Sequence, residues 1–216
     1  MIRGVVVLNQ SMTLRLAILG DSIAYGVGAA QPADAIGPRL VRDLAAAGLP
    51  AQSRTFAVPG ARSSDLAGQA RAARPWRPDV AVILVGANDL THLIPPDRAA
   101  AQLGEVVRQL RAVPAEVVVA PAPDLSVVPH VPPAMRAVVQ AGSALLRQAQ
   151  ARATLAAGGR VADAEGSTSA AFAADRSLFS RDWFHPSSAG YAMIARSLAP
   201  AVRAAAIATG RTDLAG

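Results

Sequence analysis

Three residues from opposite ends of the chain have the chemistry to activate a hydroxyl. Ser22 closes the tripeptide Gly20-Asp21-Ser22, directly after the apolar run Leu14–Leu19. Asp182 and His185 stand three residues apart near the C-terminus. A serine is a weak nucleophile at neutral pH until a base takes its proton, and that base needs a partner that fixes its tautomer. An aspartate and a histidine three residues on can meet across one turn. The carboxylate then grips one ring nitrogen and favours the imidazolium as it forms. Acyl transfer also needs donors for a developing oxyanion, either backbone N–H groups at a strand-to-helix turn or a side-chain amide. The Ser22 N–H, the Gly60 N–H and the Asn88 side chain are the candidates, each following an expected strand.

The elements that must position these groups follow from the apolar runs. A buried strand that stops at Gly-Asp-Ser delivers its hydroxyl to the carboxyl edge of a sheet, where open α/β sheets hold their ligands. Strands are expected at about 14–20, 54–58, 79–86, 116–120 and 160–164. The run Val80–Val85 is apolar on both faces, as a central parallel strand should be. Helices are expected at about 38–47, from an N-cap at Ser63-Ser64-Asp65 to 73, and at 96–111, 134–157 and 187–207. Strands alternating with helices argue for a parallel sheet covered on both faces. Residues 121–133 hold five prolines and have the length of a functional loop, and 166–181 follow no single pattern. One domain is expected over 14–208. Residues 1–13 read as an N-terminal extension, with Met12 as an alternative start, and 209–216 as a frayed tail.

Composition narrows the function. With 216 residues, 52% of them apolar, the chain can build one sizeable core. All 21 basic residues are arginine and the formal charge is +6, but the arginines are spread singly with few aromatics among them, which argues against nucleic-acid binding. The absence of cysteine removes disulfides and thiol chemistry. The three histidines lack metal-ligand spacing, so no metal and no cofactor are expected. The short apolar run Val5–Leu8 is too brief for a signal core or a membrane span, which points to a soluble, cytoplasmic protein. A nucleotide-binding module is the weaker reading. Without lysine there is no phosphate loop of the Gly-Lys-Ser/Thr type, and Gly26-Val27-Gly28 does not complete a dinucleotide fingerprint. His92, Leu93, Val131 and Trp183 are candidate substrate contacts. The loops 91–96 and 124–135 offer Leu93, Ile94, Leu125, Val127, Val128, Val131 and Met135 either as an apolar wall for an acyl chain or as ordinary packing. Asp21 is expected to shape its turn, and Asp89 to brace its loop by bonding nearby backbone.

Gly20-Asp21-Ser22, Gly60, Gly86-Ala87-Asn88-Asp89 and Asp182-Trp183-Phe184-His185 occur in this order along the chain. In order and position they resemble the four blocks of the SGNH (GDSL-type) hydrolase family. The resemblance implies a flavodoxin-like three-layer α/β/α sandwich with a five-stranded parallel sheet. It implies ester hydrolysis through an acyl-enzyme, with Ser22 as nucleophile, His185 as base and Asp182 orienting it. Ser22 N–H, Gly60 N–H and Asn88 would form the oxyanion hole, and the partner would be a small-molecule ester. One block departs from the pattern: Phe56-Ala57-Val58-Pro59-Gly60 lacks the polar residue often seen before that glycine. An acyltransferase to a sugar or alcohol hydroxyl remains the alternative, because water and alcohols attack the same intermediate. Acyl length, alcohol partner and oligomeric state are not written in the sequence.

Overall fold

Five parallel strands carry the molecule, and the computed structural model describes them within residues 13–163 and 166–210. They are β1 (Leu14–Gly20), β2 (Ala51–Thr55), β3 (Val80–Leu84), β4 (Glu116–Ala120) and β5 (Arg160–Val161), in the order β2-β1-β3-β4-β5. This is the flavodoxin-like order, in which the chain winds outward in opposite directions from a switch point between β1 and β3. Every pair is parallel; Gly20 at the end of β1 lies beside Leu84 at the end of β3.

The central strands are continuous apolar runs because both of their faces are covered. On one face Leu16, Ile18, Val80, Val82 and Val118 meet α2 (Ile36–Ala46) and α8 (Ser188–Ala208), through Leu40, Leu44, Tyr191 and Leu198. On the other face Ala17, Leu19, Ile83 and Val119 meet α3 (Leu66–Ala73) and α5 (Pro96–Arg111), through Leu66, Leu103 and Val107. The long α6 (Arg136–Ala156) packs on α5. Three short helices complete the set: α1 (Ser22–Tyr25), α4 (Ala87–Thr91) and α7 (Ser167–Ala174). Two of these, α1 and α4, begin two and three residues after the ends of β1 and β3, so the switch point is flanked by helix N-termini.

The expected strand at 54–58 is displaced. β2 occupies Ala51–Thr55 at the edge of the sheet, and its side chains are largely exposed. An edge strand needs no apolar run. The apolar residues Phe56–Val58 instead continue along β1, donating to Ile18 and Gly20 carbonyls, and lead to Gly60. Ser63 does not cap α3. Residues Ser63–Asp65 form a 3₁₀ turn of their own, with Asp65 accepting from Arg62 N–H and Ser63 turned toward Asp89. The stretch 166–181 resolves into α7, a further 3₁₀ turn at Arg176–Leu178 and a bridge between Phe179 and Pro186. The expectations for 1–12, for the end of the fifth strand at 164 and for 211–216 lie outside the described residues.

Candidate active site

The nucleophile candidate sits at the first turn of α1. Gly20 has φ +130°, which swings the chain out of β1, and a Cβ there would run into the Leu84 carbonyl oxygen. The Asp21 N–H then donates to that same carbonyl at 3.1 Å. The Asp21 side chain caps the helix by accepting from Ile23 N–H at 2.9 Å. Burial pushes the Asp21 carboxyl up to about 7, and the nearby Asp89 adds to the rise. Ser22 is thus the first residue of a helix whose start is fixed from three sides.

The base candidate comes from the other end of the chain. His185 Nε2 lies 3.0 Å from Ser22 Oγ, and its Nδ1–H donates to Asp182 Oδ2 at 2.6 Å. A carboxylate only accepts, so Nδ1 carries the proton and Nε2 is left to accept from the serine. The other oxygen of Asp182 accepts from Ser180 Oγ and from the N–H groups of Phe184 and His185, at 2.8–2.9 Å. Desolvation pulls the Asp182 carboxyl up. The bonds from His185, the two backbone N–H groups and Ser180 outweigh it and hold the group well below the usual carboxylate range. Trp183 makes this turn possible by adopting φ +55°, and its side chain is 45% exposed. His130, from the proline-rich loop, donates to the Asp182 carbonyl at 2.8 Å.

Asn88 is the second residue of α4. Its Nδ2 donates to the Ala61 carbonyl at 3.0 Å, which uses one of its two N–H protons. Gly60, one residue earlier, has φ +83°, while a Cβ there would meet open space. Backbone conformation, rather than crowding, accounts for the glycine. Asp89 is fully buried and accepts from Ser63 N–H and Ser63 Oγ, tying α4 to the same loop. Burial raises its carboxyl above the usual range, although the Ser63 bonds work the other way. Asp89 and His92 repeat the spacing of Asp182 and His185, but they do not pair, since His92 Nδ1 turns to the Asn88 carbonyl.

A cavity of about 110 Å³ opens beside Ser22 and His185, and its walls are largely apolar. Leu125, Val127 and Val128 line it; His92, Leu93, Val131 and Trp183 do not. Leu93 is 88% exposed, Trp183 is half-exposed, and Val131 packs against the core. Two buried glutamines that carry no signal in the sequence join the strand ends nearby. Gln69 accepts from Gly20 N–H and donates to Gly20 O, at 2.7 and 2.8 Å. Gln150 accepts from Ala122 N–H and donates to Val85 O, at 2.7 and 3.3 Å. A glutamine on an amphipathic helix looks like a surface residue until the sheet edge is placed beneath it. Among the described residues no three His, Asp or Glu side chains gather as a metal site, and no helix is long and apolar enough to cross a membrane.

Residues 18–193 match the model of the GDSL-like lipase/acylhydrolase family. The chain is 38% identical over 194 residues to the GDSL-like esterase Rv1075c of Mycobacterium tuberculosis, covering 88% of this chain and 62% of that protein. It therefore spans less than two thirds of the relative's length. Among solved structures, TesA superposes with a TM-score of 0.73 at 18% identity, over 88% of this chain and 99% of its own. A catalytic mutant of the acetylxylan esterase Axe2 from Geobacillus stearothermophilus gives 0.68 at 18%, over 89% and 96%. The psychrotrophic esterase EstA from Pseudoalteromonas sp. gives 0.67 at 16%, over 88% and 97%. At these identities the structural likenesses speak for the fold.

Proposed function

The chain belongs to the GDSL-like lipase/acylhydrolase family, and from that premise we propose that it is a serine esterase working through an acyl-enzyme on Ser22. One observation carries the reading: an unbroken relay from Asp182 through His185 to Ser22 Oγ, with links of 2.6 and 3.0 Å, joining residues 163 apart in sequence. In this reading Ser22 Oγ attacks the ester carbonyl while His185 Nε2 takes its proton. Asp182, ionised throughout, stabilises the imidazolium. The oxyanion draws on the Ser22 N–H, which has no acceptor within its own helix, on the Gly60 N–H and on the second amide proton of Asn88. His185 returns its proton to the departing alcohol. Water then repeats the attack on the acyl-enzyme, with His185 again as base, and releases the acid.

A panel of aryl and alkyl esters, combined with phosphonate labelling and peptide mapping, tests this. Turnover is expected from the native protein and none above background from Ser22→Ala, with the label on the peptide that contains Ser22. Full activity in Ser22→Ala, or a label elsewhere, would overturn the mechanism.

A further inference from the structure

We infer that the ester binds with its acyl chain sunk into the core cavity beside Ser22 and its alcohol half on the open side, making the enzyme strict for the acid and permissive for the alcohol. The inference rests on the esterase reading above and names the substrate class for it: esters of short to medium, unbranched, apolar acids.

The cavity reaches into the hydrophobic core. Leu84, Phe172, Phe179 and Leu198 line it and also belong to the hydrophobic core, each less than 9% exposed. It enters the layer between the carboxyl ends of β3 and β4 and helices α7 and α8. Several polar side chains on its wall have partners within the protein. Arg147 Nε donates to the Ala122 carbonyl, Thr168 Oγ1 to Ser197 Oγ, and Asp163 accepts from Thr168 N–H. An apolar chain is the occupant such a space favours.

The order of events decides which half of the ester goes in. The alcohol must leave, and water must reach the carbonyl beside His185 Nε2, before the second half-reaction. An alcohol lodged in the core would bar both steps. The acyl group stays covalently attached to Ser22 through that interval, so a space with restricted exchange costs it nothing. Each methylene removed from water stabilises the bound chain by an amount worth about fourfold in kcat/KM, until the cavity is full.

The test pairs two series: p-nitrophenyl esters from acetate to dodecanoate, and butanoate esters of alcohols of growing length. In the first, kcat/KM is expected to rise about fourfold per methylene to an optimum between butanoyl and octanoyl. It then falls at least tenfold; the second series varies by less than threefold. Phe172→Ala, which enlarges the cavity, shifts the optimum to longer acids, and Val127→Trp shifts it to shorter ones. A steep dependence on the alcohol instead of the acid, or an acyl optimum that neither substitution moves, overturns the inference. Thermal stabilisation of Ser22→Ala protein by free carboxylates keeps the cavity testable without catalysis. Hexanoate or octanoate is expected to raise Tm where acetate does not, and equal shifts overturn the inference. If the native protein neither turns over esters nor takes a phosphonate while the chain-length effect on Tm persists, the esterase reading falls and the cavity assignment stands.

Discussion

Asn88 spends one amide proton on the Ala61 carbonyl and keeps the other. That second proton, assigned above to the proposed oxyanion hole, makes Asn88→Ala informative. Losing an oxyanion donor costs about a hundred- to a thousandfold in kcat, so kcat should fall by that factor while KM changes little. An unchanged kcat would remove Asn88 from the proposed oxyanion hole. Asp21 carries a second residue-level consequence. Burial pushes its carboxyl up to about 7 in the folded protein, against 3.8 for an aspartate in water. Between those values the native state holds a proton that the unfolded chain has lost, so stability falls as pH rises through that window and levels off above it. Asp21→Asn keeps an acceptor for Ile23 N–H and removes the titration. Urea melts at pH 4.5, 5.5 and 7 should therefore show the variant gaining on the native protein with each step, by up to a few kcal/mol at pH 7. A difference independent of pH would contradict the assignment.

At the scale of elements, the site depends on strand ends held by side chains from the helices. Gly20 leaves β1 with its amide turned away from the ladder, and Gln69 on α3 supplies both an acceptor and a donor to it. Gln150 on α6 does the same between the ends of β3 and β4. Two helices on the same face thus pin the loops that carry Ser22 and Asn88. In Gln69→Leu the Gly20 carbonyl retains the Val58 N–H, but the Gly20 N–H is stranded in the core. An unsatisfied buried donor costs about 1–3 kcal/mol, measurable as a lower urea midpoint at constant m-value. Phosphonate labelling of Ser22 should slow in the folded variant as well. A loss of stability with no change in labelling rate would reduce Gln69 to a structural residue.

On the scale of the whole molecule, the relay spans almost the entire chain. Ser22 follows β1 and His185 precedes α8, and buried Tyr191 on α8 donates to the Val27 carbonyl at 2.7 Å, tying the two regions together. No local segment can hold such a site. Reactivity toward phosphonate and helical circular dichroism should therefore disappear at the same urea concentration, as two-state unfolding requires. Labelling lost well before the helices would show that the C-terminal loop detaches on its own.

The chain itself determined what nearest neighbours determine. β4 and α5 lie at the residues the sequence predicts, 116–120 and 96–111. β1 and β3 are as legible, because burial on both faces demands continuous apolar runs and helices need matching periodicity. The four motif blocks single out Ser22, Gly60, Asn88, Asp182 and His185 by residue type and order alone. β2 was misplaced because an edge strand carries no apolar signature. Leu93 and Trp183, candidate substrate contacts by sequence, do not line the cavity; both are exposed and take positive φ, a backbone state that leaves no mark in residue type. The cavity and the glutamine clamps were invisible for a different reason. They arise where α3, α6, α7 and α8 come to rest on the sheet edge, and side chains far apart in sequence acquire a common surface only through the packing of the complete fold.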